Sequence, residues 1–237
     1  MIKKTKALLL SAGFGTRLKP LTIEKPKCLM EVNGIPMIEH WLKKLEQLGI
    51  EEVLINTHYL SFKVEEYILN REKSKIKIFL VHEEKLLGTA GTLIQNKNFF
   101  KGSNIIFIHA DNFTTSNLKG LFDSFREKPE DCKLTMLTFL TDNPQSCGIV
   151  KVRKNIVEEF HEKVLNPPSN IANGAIYLFD YELISWIEKE ISKPFDFSLD
   201  VIPCLIGKIN TWLIDQEYID IGTHKTLQKA NILFKNN

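Results

Sequence analysis

Short apolar runs alternate with stretches of helical period along the first 141 residues, and few architectures accept that alternation. The runs are Lys6–Ser11, Glu52–Asn56, Ile76–Val81, Asn104–Ala110 and Lys133–Leu140. Between them, Pro36–Leu48 places Ile38, Trp41, Leu42, Leu45 and Leu48 at helical spacing and is closed by Gly49. Phe62–Asn70, Thr89–Gln95 and Asn117–Arg126 also read as helices. Strands that follow one another through helices pair in parallel, with right-handed crossovers, so the pattern predicts a parallel, doubly wound sheet with helices on both faces.

After about residue 142 the pattern changes. Gly148–Val152 and Ile156–Phe160 read as a hairpin around Lys154-Asn155. Asn173–Phe179 reads as a strand, Tyr181–Glu190 as a helix, and Ser198–Leu205 as a short helix. Asn210–Ile214 reads as a strand and a last helix starts at Thr223. The expectation is one domain over 1–237, a single α/β body in which a first half (1–141) is fused to a substrate-binding half (142–237).

Composition narrows the partners. Of 237 residues, 43% are hydrophobic and 25% charged, ordinary globular usage that excludes a disordered chain. A net charge of +2 demands no polyanion surface, so nucleic acid is not an expected partner. No apolar run approaches the roughly 18 residues of a membrane span. Lys3, Lys4 and Lys6 before Ala7-Leu8-Leu9-Leu10 have the charge order of a signal peptide, but the run is too short and leads straight into a glycine loop. It reads as a buried first strand. Cys28, Cys132, Cys147 and Cys204 form no CxxC pair, and reduced thiols in a cytoplasmic protein are expected.

The strongest local signal is the glycine-rich turn after that strand, Leu10-Ser11-Ala12-Gly13-Phe14-Gly15-Thr16-Arg17-Leu18. Backbone N–H groups in such turns converge on phosphate oxygens, and glycine permits the close approach. A dinucleotide fingerprint needs a third glycine where Leu18 stands, and a P-loop needs GxxxxGK[ST], which is absent. There remains a loop that wraps a nucleoside triphosphate and adds cations from side chains. Only four of the 31 basic residues are arginines, and Arg17 lies inside the loop. Pro20 and Pro26 stiffen the continuation to Lys27. Arg17 and Lys27 suit a triphosphate and a departing pyrophosphate.

The stretch Leu10–Thr22 followed by Lys25-Pro26-Lys27 resembles the signature of the sugar-1-phosphate nucleotidyltransferases (NDP-sugar pyrophosphorylases), LAGxGTRLxPLT…PKxL, with Ser11 at a small-residue position. Further segments fall in the same register. Glu83 and Leu87-Gly88-Thr89-Ala90-Gly91 resemble the family's E…LGTAG segment, which lines the base pocket. Ala110-Asp111 stands where the family has Gly-Asp, and Tyr218-Ile219-Asp220-Ile221-Gly222-Thr223 resembles its W-x-DIGT motif. Phe160-His161-Glu162-Lys163 and Ala172-Asn173-Gly174-Ala175-Ile176-Tyr177 resemble F-x-EKP…NxGIY, with Val164 in place of the proline.

The resemblance implies an α/β fold: one Rossmann-like domain of nucleotide-diphospho-sugar transferase type, with a mixed, mostly parallel sheet and helices on both faces, 1–141 being the nucleotide-binding half and 142–237 the sugar-phosphate-binding half. It implies an enzyme in which Arg17, Lys27 and Asp111 are catalytic. Nucleotide contacts would come from Leu10, Ser11, Ala12, Gly13, Gly15, Thr16, Arg17, Lys27, Glu83, Gly88 and Thr89. Gly148, Glu162, Lys163 and Asn173 would bind the sugar phosphate. Asp111 and Asp220 would hold Mg²⁺, an ion that takes few protein ligands beside water and phosphate. His109 and His224 flank these carboxylates and read as structural. The substrates implied are an NTP, with GTP favoured by Glu83 and the Leu-Gly-Thr-Ala-Gly stretch, and a sugar 1-phosphate. UTP, CTP, dTTP and a non-sugar phosphate acceptor stay open, as does a catalytically silent subunit that senses NDP-sugars. The complete charged set, Arg17, Lys27, Asp111, Lys163 and Asp220, favours an enzyme. No C-terminal hexapeptide-repeat β-helix is expected, and a homo-oligomer is left open.

Overall fold

Each apolar run singled out above folds as a strand. The computed structural model describes residues 3–234. In chain order they form β1 (Thr5–Leu10), β2 (Glu31–Val32), β3 (Ile35–Pro36), α1 (Met37–Gln47), β4 (Glu52–Thr57), α2 (Ser61–Asn70), β5 (Lys77–His82), α3 (Gly88–Gln95), α4 (Lys97–Phe100) and β6 (Asn104–His109). Then follow β7 (Asn112–Thr114), α5 (Lys119–Glu127), β8 (Leu134–Leu140), β9 (Gly148–Arg153), β10 (Ile156–Glu162), β11 (Ile171–Asp180), α6 (Glu182–Glu190), β12 (Ile209–Leu213), β13 (Tyr218–Asp220) and α7 (His224–Leu233). Short 3₁₀ turns and one π turn (Phe197–Val201) fill the gaps. Among the described residues no helix is long and apolar enough to cross a membrane. The chain divides into two compact units, 7–86 with 109–115 and 218–234, and 3–6 with 87–108 and 116–217. Each unit draws on both halves of the chain.

In the first unit β1 and β4 pair in parallel, Ala7 with Val53 through Leu10 with Asn56, and β4 pairs in parallel with β5. Ala7, Leu8 and Leu9 and their neighbours Val53, Leu54 and Ile55 are buried, the near-continuous apolar run of strands covered on both faces. Helix α1 buries Met37, Ile38, Trp41, Leu42 and Leu45. Its end is set by Gly49 at φ +75°, with Gly49 N–H donating to the Glu46 carbonyl (2.9 Å) and Ile50 N–H to that of Leu45 (3.0 Å). This is a Schellman closure, and the buried side chains of Leu45 and Ile50 accompany it. The helical period at Pro36 masks a hairpin just before it: β2 and β3 are joined by Asn33-Gly34, both at positive φ. A second antiparallel ribbon pairs β13 with β7, Asp220 opposite Asn112. Its Phe113 and Ile219 join Leu18, Met30, Val32, Met37, Ile221, Ala230 and Phe234 in one core cluster. Helix α7 completes it, started by Thr223, whose Oγ accepts from the Thr226 N–H (3.1 Å) while its own N–H donates to Thr226 Oγ1 (3.0 Å).

In the second unit β11 is the organising strand. It runs antiparallel to both β6 and β8, and β12 lies parallel to β8. Strands β9 and β10 form the expected hairpin, with Lys154 and Asn155 both at positive φ, and β10 meets β12 at Ile156–Asn210. Parallel ladders from β1, β4 and β5 and the mixed ladders of the second unit make the α/β class expected from the sequence. Phe107, Tyr177, Phe179 and Phe197 stack as an aromatic core, with the Phe107–Phe197 and Tyr177–Phe197 ring centroids 4.8 and 4.9 Å apart. Helix α5 lays Leu121 and Phe125 inward, and its Gly120 packs so closely on Trp212 that a Cβ there would come within 2.6 Å of the indole.

Candidate active site

The glycine loop is shaped by Gly15. Its φ of +63° is left-handed, and an added Cβ would lie 2.8 Å from Thr22 Cγ2 and 3.2 Å from Lys27 Cβ. Both backbone angle and space therefore require glycine. Thr22 Oγ1 donates to the Gly15 carbonyl (2.8 Å), tying the loop to the 3₁₀ turn Leu21–Ile23. At Gly13 a Cβ would meet nothing within 4 Å, so packing does not require glycine there. Leu10 closes β1, Ala12 is buried beyond it, and Thr16 and Arg17 stand exposed on the turn Thr16–Leu18.

Four of the residues chosen from the sequence converge. Lys27 heads a 3₁₀ turn behind Pro26 and is only 9% exposed. Its ammonium is ion-paired with Asp111 Oδ2 and lies 3.3 Å from Asp220 Oδ1. Arg17 Nη2 is 3.7 Å from Asp220 Oδ2. The β7–β13 ribbon brings the two aspartates together, since Asp111 directly precedes β7, Asp220 ends β13, and the Ile221 N–H donates to the Asp111 carbonyl (3.0 Å). Burial by itself lowers the Lys27 pKa, but Asp111 and Asp220 outweigh it and hold the ammonium above its ordinary value. Burial likewise raises the Asp111 carboxyl, and Lys27 and His109 overcome this and leave it below the usual range. Gly222 was not singled out from the sequence as a site residue. A Cβ there would lie 2.7 Å from Arg17 Nη2 and 3.0 Å from the Asp220 carboxylate oxygens, so its missing side chain lets the two meet. His224 bonds to the Lys19 carbonyl (2.8 Å), the structural part read for it. The Cys28 thiol beside Lys27 is pushed up to about 12 by burial and stays protonated.

Glu83 sits differently from the base-facing carboxylate expected. It is 5% exposed, and its Oε1 accepts from Asn56 Nδ2 (2.9 Å). Asn56 Oδ1 in turn accepts from the Ser11 N–H (2.8 Å), and the Ser11 hydroxyl donates to the Asn56 carbonyl (2.6 Å). A buried relay Glu83–Asn56–Ser11 thus anchors the start of the glycine loop. Asn56 was passed over in the sequence; the available signal was a polar residue near the end of an otherwise apolar strand.

In the second unit, Gly88 has φ +74°, and a Cβ would fall 2.2 Å from the Phe195 carbonyl. Thr89 Oγ1 accepts from the Phe197 N–H (2.7 Å) and lies 3.4 Å from Asp196 Oδ2, so it docks the 195–197 segment on α3. The expected acceptor residues also assemble. Gly148 pairs with Glu162 across the β9–β10 hairpin, and a Cβ at Gly148 would lie 2.6 Å from Glu162 Oε2. Lys163, at φ +50°, donates its N–H to the Cys147 carbonyl (3.1 Å), and its Nζ is 2.9 Å from Glu162 Oε1 with the side chain 64% exposed. Asn173 follows Ala172, which pairs with Ile149. Its Nδ2 donates to the Tyr177 hydroxyl (2.7 Å), which lies 3.2 Å from Ser198 Oγ, and its Oδ1 accepts from the Ala175 N–H (2.9 Å). A register shift between Asn173 and Tyr177 makes room for this turn.

The donor set suits a divalent ion shared with phosphate. Asp111 and Asp220 approach one point that already holds a cation, the Lys27 ammonium. Among the described residues no group of three or more His, Cys, Asp or Glu side chains gathers around a metal position. Two carboxylates are the protein share that Mg²⁺ takes when phosphates and water supply the rest.

Comparison with known proteins agrees with the motif pattern. The chain is 28% identical over 239 residues to the mannose-1-phosphate guanyltransferase of Saccharomyces cerevisiae, across 98% of this chain and 65% of that protein. It is 27% identical over 222 residues to the mannose-1-phosphate guanylyltransferase of Mycobacterium tuberculosis, across 92% of this chain and 61% of that protein. It therefore spans less than two thirds of the length of these relatives. A solved structure from Bacillus anthracis, described as a glucose-1-phosphate thymidylyltransferase in complex with sucrose, is 25% identical with a TM-score of 0.88, over 98% of this chain and 96% of that one. HddC from Yersinia pseudotuberculosis, 22% identical over 97% of this chain and 99% of its own, shares the fold with a TM-score of 0.80. The family model for nucleotidyl transferases matches residues 6–237, from within β1 to beyond α7, and the chain belongs to that family.

Proposed function

We propose that the protein transfers a guanylyl group from GTP to a sugar 1-phosphate of the mannose type, forming a GDP-sugar and pyrophosphate for glycan synthesis in the cytoplasm. One observation carries the reading: the Lys27 ammonium lies between Asp111 and Asp220, with Arg17 next to Asp220, at the end of the glycine loop. GTP and the mannose-type acceptor are taken from the names of the similar guanylyltransferases.

An oxygen of the sugar phosphate attacks the α-phosphorus in line, the bond to the β-phosphate oxygen breaks, and pyrophosphate departs. The attacking oxygen is already anionic, so no general base is needed, and catalysis rests on positioning and charge. Asp111 and Asp220 would hold Mg²⁺, which when bound neutralises charge on the phosphates. The loop that starts at Ser11 binds phosphate through the backbone N–H groups from Ala12 to Thr16, and Arg17 and Lys27 hold the leaving pyrophosphate. Lys163 binds the acceptor phosphate, Glu162 the sugar hydroxyls, and Asn173 adds an amide. Pyrophosphate release, measured with Mg²⁺ for GTP, UTP, CTP, dTTP and ATP against several sugar 1-phosphates, tests this. The expected result is turnover in the GTP row with mannose 1-phosphate. Silence across the grid from folded, nucleotide-binding protein would overturn it in favour of a sensor of NDP-sugars.

A further inference from the structure

We propose that the Lys27 ammonium is a built-in counter-cation that closes the Asp111–Asp220 pair to divalent ions until nucleotide phosphates draw it away. Metal and nucleotide would then bind the protein cooperatively. This rests on the reading of the two aspartates as a metal pair. The argument begins with occupancy. Lys27 is nine-tenths buried, is ion-paired with Asp111 Oδ2, and is 3.3 Å from Asp220 Oδ1, so one ammonium serves both carboxylates. A divalent ion placed between the same oxygens would meet the buried ammonium at close range, and the two like charges would repel. Arg17 Nη2, 3.7 Å from Asp220 Oδ2, adds a second positive group on the same side.

The ammonium nevertheless has the means to leave. Gly15 packs over Lys27 Cβ, at 3.2 Å from where a Cβ of its own would lie, which holds the root of the side chain against the loop. Beyond that root the chain is flexible and ends in a compact point charge. A triphosphate cradled by the loop offers that charge a more negative partner than either aspartate. Drawing Lys27 onto the phosphates uncovers the carboxylates. By linkage, the factor by which nucleotide tightens metal binding equals the factor by which metal tightens nucleotide binding.

The test is a Mn²⁺ titration without nucleotide, with free Mn²⁺ read by electron paramagnetic resonance. It compares wild type, Lys27→Arg, Lys27→Gln and the double variant Lys27→Gln/Asp220→Asn. The expected result is weak binding to wild type and Lys27→Arg, at least tenfold tighter binding to Lys27→Gln, and loss of that gain in the double variant. Equal affinity in wild type and folded Lys27→Gln would overturn the proposal. Should Lys27→Gln lose its fold in metal-free buffer, Mn²⁺ is expected to restore its circular dichroism spectrum, and failure to do so at millimolar Mn²⁺ would also overturn it. Pyrophosphate release by wild type separates the two readings: an active enzyme with equal Mn²⁺ affinities removes only the counter-cation, whereas the Mn²⁺ gain in a protein silent across the substrate grid keeps it and removes the reaction.

Discussion

Glu83 and Lys27 are both charged side chains in the interior of one unit, and their partners give them opposite tasks. Lys27 meets two carboxylates and forms part of the charged centre. Glu83 meets an amide, Asn56, which fixes Ser11 at the start of the glycine loop. A carboxylate engaged in this way acts on the loop through Asn56. The Glu83→Gln substitution keeps the shape and weakens the bond to Asn56 Nδ2, because hydrogen bonds to charged acceptors are worth about 1.5–3 kcal/mol and neutral ones about 1. The expected outcome is a fall in kcat/KM of roughly tenfold, by the same factor for every nucleotide the enzyme accepts. Steady-state rates with GTP, UTP and dTTP check this, and a changed preference among bases would make Glu83 a base reader instead.

Among the elements, α1 and α2 are tied by a buried ion pair. The Arg71 guanidinium grips the Glu39 carboxylate with two hydrogen bonds, Nε to Oε2 at 3.0 Å and Nη2 to Oε1 at 2.9 Å, and the Tyr67 hydroxyl donates to Oε2 at 3.0 Å. The two side chains are 9% and 12% exposed. Burial alone would raise the Glu39 carboxyl, but Arg71 and Tyr67 hold it below the usual range. A depressed carboxyl stabilises the fold above its unfolded pKa of about 4.3 and loses that contribution as pH falls through its folded value. Arg71→Met leaves a buried carboxylate unpaired and is expected to cost about 3 kcal/mol at neutral pH, read by urea unfolding. Because protonation then relieves the unpaired charge, the cost should shrink between neutral pH and about pH 4. A pH-independent difference between wild type and variant would rule out Glu39 as the titrating partner.

For the molecule as a whole, the loop residues proposed to bind nucleotide and the residues of β9, β10 and β11 proposed to bind the acceptor belong to different compact units, each with its own core. Hydrogen exchange followed by mass spectrometry should therefore show GTP slowing amides in 11–27 and a sugar 1-phosphate slowing those in 147–164 and 172–175; protection of neither segment would remove these residues from the substrate sites. Much of this was legible in the chain. Strands buried on both faces need unbroken apolar runs, so β1, β4, β6 and β8 announced themselves, as did α1 through its period and its terminal glycine. The glycine loop and the aspartate motifs stood out in the chain because the phosphate and metal chemistry proposed for them admits few residue types at short spacing. The antiparallel course of β11, the β7–β13 ribbon and the interleaving of the two units were not, since strand partners are chosen by contacts distant in sequence. The same holds for side-chain partners. The chain by itself determined which residues carry charge and where the long strands and helices lie. Only the tertiary structure decided that Lys27 lies between two aspartates 84 and 193 residues away, and that Glu83 turns inward to Asn56, because a buried charge takes whichever partner the fold brings within reach.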